Sequence, residues 1–156
     1  QWAYFDDVEF FRQTTTSIPV GKRIGFKGWN NKFVSSNLNN SSYLQALWAD
    51  GIGGWEQFDV VDAGGGLVAI KSVASGKYVT CDLSSSERRL RADWATGIGD
   101  WEKFSWQDLG NNIFGLKSVA SNKFVSTDLN TTEKYLKGQW SDAIGDWEKF
   151  QWALAQ

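Results

Sequence analysis

The chain has 156 residues, 16 basic and 18 acidic side chains and a net charge of −2, and it is rich in aromatics, with ten Trp and ten Phe but no Met and no His. This near-neutral balance argues against nucleic acid or an anionic membrane surface as the main partner, and the lack of His removes the commonest general base and metal ligand. The single Cys81 can form neither an internal disulfide nor a Cys-rich zinc site; it reads as a small apolar filler, and nothing in the sequence calls for a cofactor or a metal.

In chain order, residues 1–17 come first as an acidic, aromatic extension, "QWAYFDDVEFF…". It lacks a basic region followed by an apolar run, so it does not read as a signal peptide. No stretch anywhere approaches the roughly 18 apolar residues of a membrane span. Phe5, Phe10 and Phe11 predict that the extension packs on the repeat-bearing domain, the alternative being a linker remnant. The start without Met fits a processed protein or a module of something longer.

From about Ile18 the chain repeats itself. "GFKGWNNKFVSSNL" (25–38) returns as "AIKSVASGKYVTCDL" (69–83) and "GLKSVASNKFVSTDL" (115–129), the first copy being one residue shorter. Downstream, "LWADGIGGWEQF", "DWATGIGDWEKF" and "QWSDAIGDWEKF" begin at Leu47, Asp93 and Gln139, which places both Trp48/Trp94/Trp140 and Trp55/Trp101/Trp147 at intervals of 46. A fixed period of this length marks a repeat architecture, with units at about 18–63, 64–109 and 110–156.

Each unit reads as four short strands with period-two alternation. In the second they are "LVAIKS", "KYVTCD", "RLRADW" and "KFSWQD", separated by the turn chemistry of "ASG", "SSSE" and "TGIGD". Pro19 precedes the first repeat and interrupts no ladder. The expectation is an all-β fold, a β-trefoil of three lobes with about twelve antiparallel strands, closure leaving few free edges. A three-bladed propeller is the alternative, although propellers usually have four or more blades.

The repeat also sorts the aromatics. Phe58, Phe104 and Phe150 share one position, and Val60, Trp106 and Trp152 follow two residues later on the same strand face. The exchange of Val for Trp there asks for apolar volume, so Trp106 and Trp152 read as core. Trp2 and Trp29 have no counterparts. Trp55, Trp101 and Trp147, at the entrance to a strand, read as structural. Trp48, Trp94 and Trp140 end a strand beside a Gly-containing turn, where a ring is well placed to be partly exposed and to bind; against this, they share the parity of Leu44, Leu90 and Leu136. Glu56, Glu102 and Glu148 are solvated, tie down a turn, or meet a ligand, because a buried carboxylate without partners is costly. Gln57, Lys103 and Lys149 follow them and are long enough to reach a ligand. Lys27, Lys71 and Lys117 also recur, as solvated residues on a strand face. Tryptophan, carboxylate and an amide or ammonium together suit a sugar: the ring stacks on a pyranose and the polar groups take its hydroxyls.

At these residues the chain resembles the fascin-like β-trefoils, and its Trp-(x)6-Trp-Glu-x-Phe signature in all three lobes looks more like carbohydrate-binding module family 92. The resemblance covers about 18–156. It implies a secreted, non-catalytic module, attached to a polysaccharide-degrading glycoside hydrolase in a longer chain, that binds β-1,3- and β-1,6-linked glucans. One site per lobe would be built on Trp48 with Glu56, Trp94 with Glu102, and Trp140 with Glu148. Three sites about 120° apart on a monomer would grip one branched or insoluble polymer by avidity. The alternative is an actin-bundling or other protein-binding trefoil, although fascin-like bundlers use several trefoils in tandem. An enzyme is not expected, since a glycosidase needs two carboxylates about 5–10 Å apart and these glutamates fall one per lobe.

Overall fold

The computed structural model describes residues 18–155; the expected packing of Phe5, Phe10 and Phe11 lies outside them. Twelve strands follow one another: β1 (Arg23–Lys27), β2 (Phe33–Asn37), β3 (Tyr43–Ala49), β4 (Phe58–Gly64), β5 (Leu67–Ser72), β6 (Tyr78–Cys81), β7 (Leu90–Ala95), β8 (Phe104–Gly110), β9 (Ile113–Ser118), β10 (Phe124–Thr127), β11 (Leu136–Ser141) and β12 (Phe150–Leu154). Six of them close a ring, β1–β4–β5–β8–β9–β12 and back to β1, every pairing antiparallel. The other six form three hairpins, β2–β3, β6–β7 and β10–β11. A six-stranded barrel carrying three hairpins is the β-trefoil that the repeat predicts.

Alternation builds the core. Phe26 on β1 meets the rings of Phe58, Phe114 and Phe150 at 5.2, 5.8 and 5.5 Å, so strands from distant parts of the sequence share one aromatic centre. Trp106 lies flat on Phe114, centroids 3.8 Å apart, and Trp152 packs half-buried against the same cluster. Both behave as core residues. Under the hairpins, Leu44, Leu90 and Leu136 are buried with Val34, Val79 and Val125. Cys81 is buried in the same core; burial pushes its thiol above the usual range, which keeps it protonated and unreactive.

The three hairpins meet around the pseudo-threefold axis through one position in each lobe, Tyr43, Arg89 and Tyr135. The Arg89 guanidinium lies 5.2 Å from the Tyr43 ring and 4.1 Å from the Tyr135 ring, and the two tyrosines meet edge to face at 5.3 Å. The contact is that of a cation held between two aromatic faces.

Trp55, Trp101 and Trp147 stand just ahead of β4, β8 and β12, at the entrance to a strand as the sequence predicts. The structure adds a local element there. Each Trp is the middle residue of a single 3-10 turn, Gly54–Glu56, Asp100–Glu102 or Asp146–Glu148. No apolar period is legible in three residues; these turns are made by a side chain closing back on the backbone.

Candidate functional site

Between the exposed Trp and the 3-10 turn, each lobe has a short segment fastened to the barrel. In the first and third lobes its isoleucine is pressed onto a glycine: a Cβ on Gly25 would stand 2.6 Å from Ile52 Cγ1, and one on Gly115 would stand 2.8 Å from Ile144 Cδ1. In all three lobes a glutamate supplies the other fastening. Glu56 Oε1 accepts the Gly53 N–H at 2.9 Å, and Oε2 accepts the Ser35 hydroxyl at 2.5 Å. Glu102 does the same with Gly99 and Thr80 at 2.8 Å each, and Glu148 with Gly145 at 2.9 Å and Ser126 at 2.5 Å. All three glutamates are buried, at 7–8% exposure. Of the three roles open to them, tying down a turn is the one this geometry displays. Each carboxylate has about four lone-pair positions, so a face beyond these two bonds stays unspent.

Replacing Glu102 by alanine should therefore act first on stability. It strands the buried Thr80 hydroxyl and the Gly99 N–H, a loss of about 1–3 kcal/mol. Urea unfolding measures it, with Glu102→Gln falling between the two proteins because its amide oxygen still accepts. An unchanged midpoint in the alanine variant would show that the carboxylate does not staple the turn.

What the fastened segment presents is an indole. Trp48, Trp94 and Trp140 are 43, 44 and 45% exposed, the same in three lobes. The parity they share with Leu44, Leu90 and Leu136 does not carry them inward, because the pairing register slips between the leucine and the ring in every hairpin, at Phe33/Ser35, Tyr78/Thr80 and Phe124/Ser126 on the facing strand. Such an irregularity re-aims the side chains beyond it. Trp55, Trp101 and Trp147 are half-buried, and two of them flank the exposed rings: Trp48 meets Trp55 at 6.3 Å and Trp140 meets Trp147 at 6.2 Å. The repeat alone treats the two tryptophans as separate jobs; the turn folds them back together.

The surroundings differ between lobes. Beside Trp94 lies the Arg91 guanidinium, 4.4 Å from the ring and clamped by Asp93 through bonds of 2.7 and 2.6 Å; hydrogen bonding to Asp93 holds Arg91 above its ordinary basicity. Beside Trp140 stands Lys137 Nζ at 5.3 Å. The first lobe has the neutral Gln45 at this position. Gln57, Lys103 and Lys149 are half-buried; Lys103 lies 3.9 Å from Asp100 and Lys149 3.5 Å from Asp146, while Lys149 also reaches to 5.5 Å from the Trp29 ring of the first lobe. Among the described residues no hydrogen bond, ion pair or ring contact joins Trp48, Trp94 or Trp140 to these three or to the glutamates. Arg91, Lys137 and the partner tryptophans are the neighbours that spacing along the chain did not reveal; the equivalence of Gln45, Arg91 and Lys137 across the 46-residue period was the available signal.

Comparison with known proteins gives the fold its context. No protein-family profile matches the chain, and no curated protein is significantly similar in sequence. Among solved structures, the exo-β-1,3-galactanase 1,3Gal43A of Clostridium thermocellum aligns at 25% identity and a TM-score of 0.72 over 88% of this chain, which spans 31% of the galactanase chain. The BEL β-trefoil aligns at 19% identity and a TM-score of 0.72, covering 90% of this chain and 98% of its own. A Polyporus squamosus lectin, solved with the glycan Neu5Acα2-6Galβ1-4GlcNAc, aligns at 11% identity and a TM-score of 0.70 over 88% of this chain and 50% of its own. The fold these likenesses support is the β-trefoil that the strand pairing displays.

Proposed function

We propose that the chain is a non-catalytic carbohydrate-binding module that holds β-glucan through three equivalent sites, one per lobe. The observation that carries this reading is the exposure of Trp48, Trp94 and Trp140. A fold with a full aromatic core has no packing reason to keep three indoles nearly half exposed at one repeated position, each beside a segment that a buried glutamate staples down. A flat apolar face on a rigid loop, with polar groups around it, suits a pyranose ring. The galactanase and lectin neighbours support sugar as the ligand class, and the Trp-(x)6-Trp-Glu-x-Phe signature supports glucans linked β-1,3 or β-1,6 and the wider resemblance to carbohydrate-binding module family 92. In this reading the glutamates are first the fixtures of the platform, and the module works on polysaccharide outside the cell, tethered to a hydrolase.

Calorimetry and co-sedimentation with a β-1,6-glucan and an insoluble β-1,3-glucan test it. Binding without release of reducing sugar is expected, and no pelleting with actin filaments. Absence of glucan binding with retention on actin would replace this reading by that of a fascin-like protein.

A further inference from the structure

The first lobe breaks the repeat at the turn between β1 and β2. Where the others read "SVASGK" (72–77) and "SVASNK" (118–123), it reads "GWNNK" (28–32), one residue shorter. In the longer turns a serine hydroxyl oxygen accepts a backbone N–H, Ser72 from Ser75 and Ser118 from Ser121, each at 3.2 Å. The short turn has no such serine bond but keeps the two backbone closures of the longer turns. Gly28 N–H donates to the Lys32 carbonyl and Asn31 N–H to the Gly28 carbonyl, both at 3.0 Å. Asn31 occupies the left-handed region at φ 67°, and the Asn30 amide anchors the turn to the Ala46 carbonyl at 2.8 Å.

This rigid turn carries Trp29. The same position holds Val73 and Val119 in the other lobes, so the fold needs no indole there, yet Trp29 is 43% exposed, as Trp48 is. Beside it opens a cleft of about 220 Å³ lined by Lys27, Gly28, Trp29, Asn31 and Gln151. Gln151 stands opposite Lys27 in the β1–β12 pairing, so the cleft straddles the seam at which the first and last strands close the barrel. It is smaller than the roughly 300–1,000 Å³ of sites for drug-sized ligands, and so is sized for one sugar ring.

Among the described residues the lining offers an indole, two carboxamides that both donate and accept, and an ammonium, with no carboxylate. Lys27 rests 5.9 Å from the Phe33 ring and makes no ion pair among the described residues; Lys149, 5.5 Å from the indole, adds a second positive charge that Asp146 partly balances. An aromatic face with amides takes a pyranose and its hydroxyls, and an ammonium without a counter-ion favours a ring that brings one. We infer that Trp29, Asn31, Gln151 and Lys27 form a fourth, unrepeated site, and that it takes a single uronic-acid residue, a pyranose bearing a carboxylate.

The site does not depend on the lobe sites, and its test removes them. In the variant with Trp48, Trp94 and Trp140 all changed to alanine, the Trp29 indole N–H resonance is followed by NMR against methyl β-glucuronide and methyl β-glucoside. The glucuronide should shift it saturably and bind about tenfold more tightly than the glucoside, the worth of one modest charged contact. Trp29→Val, which installs the residue of the other two lobes and so keeps the fold, should abolish the glucuronide titration. Lys27→Gln should erase the preference for the acid. No saturable shift, or a titration that survives Trp29→Val at the remaining resonances, overturns the site; equal affinity for both glycosides overturns its assignment to a sugar acid. Loss of glucan binding by the wild-type protein would bear on the lobe sites alone.

Discussion

Changing Trp48, Trp94 and Trp140 together to alanine is expected to abolish retention on insoluble β-glucan while leaving a folded protein. The fold survives because each indole is nearly half exposed and the segment beside it is held by the glutamate staple, which does not use the ring. The size of the loss follows from multivalency. A single stacked ring with a few hydroxyl contacts binds weakly, but once one lobe is bound the others meet the same polymer at high local concentration, which raises overall affinity by ~10²–10⁴ without a new contact. Single replacements leave two lobes to cooperate and should lose only part of the retention. The triple variant loses stacking and avidity together. Affinity electrophoresis in β-1,3- and β-1,6-glucan gels reads the series, and circular dichroism checks the fold. A triple variant that migrates like the wild type would show that these rings are not the platform. The companion series at Trp55, Trp101 and Trp147 should show lower unfolding midpoints, since those rings are half-buried in the turn.

The three lobes and their strands were legible because a 46-residue period repeats both the alternation and the turn residues. Of the four strands read from the second unit, the first coincides with β5, and the others differ from β6, β7 and β8 only by a residue or two at their ends. Trp106 was legible as core through the exchange with Val60, since a position that accepts Val wants volume. Trp48, Trp94 and Trp140 were legible as exposed from their place at a strand end. The glutamates were not assignable from spacing, because their partners Ser35, Thr80 and Ser126 stand about 22 residues away on another strand, and a turn held by such a contact has no period. Trp29 was silent for the opposite reason: it sits where the repeat fails, so no second copy exists to show what the position tolerates as an indole.

Asp128→Asn is expected to destabilise the domain by about 3 kcal/mol, and Asp128→Asn with Lys137→Gln to restore most of that loss. One pair of positions differs across the three lobes. In the first, the Asn37 amide donates to Gln45 Oε1 at 2.8 Å. In the second, Arg91 faces Asp82 at 3.4 Å. In the third, Lys137 Nζ donates to Asp128 Oδ2 at 2.7 Å with both side chains buried, at 4 and 6% exposure. One backbone geometry therefore accepts either a neutral amide pair or an ion pair. Removing one partner of a buried ion pair costs about 3–5 kcal/mol because the other charge is left uncompensated. Here the lower end applies, since Glu87 lies 3.4 Å from Lys137 and supplies a second, half-exposed carboxylate. Replacing both partners removes both charges and reproduces the pair that the first lobe already packs, so the double variant should be far more stable than the sum of the single losses, a coupling that a double-mutant cycle measures directly. Urea unfolding of the wild type, the two single variants and the double variant decides it. Additive losses would mean that Asp128 and Lys137 act through separate neighbours. Because Lys137 also stands 5.3 Å from the Trp140 ring, the double variant isolates that cation as well: with the fold restored, any change in glucan retention reports what a positive charge beside the third indole contributes.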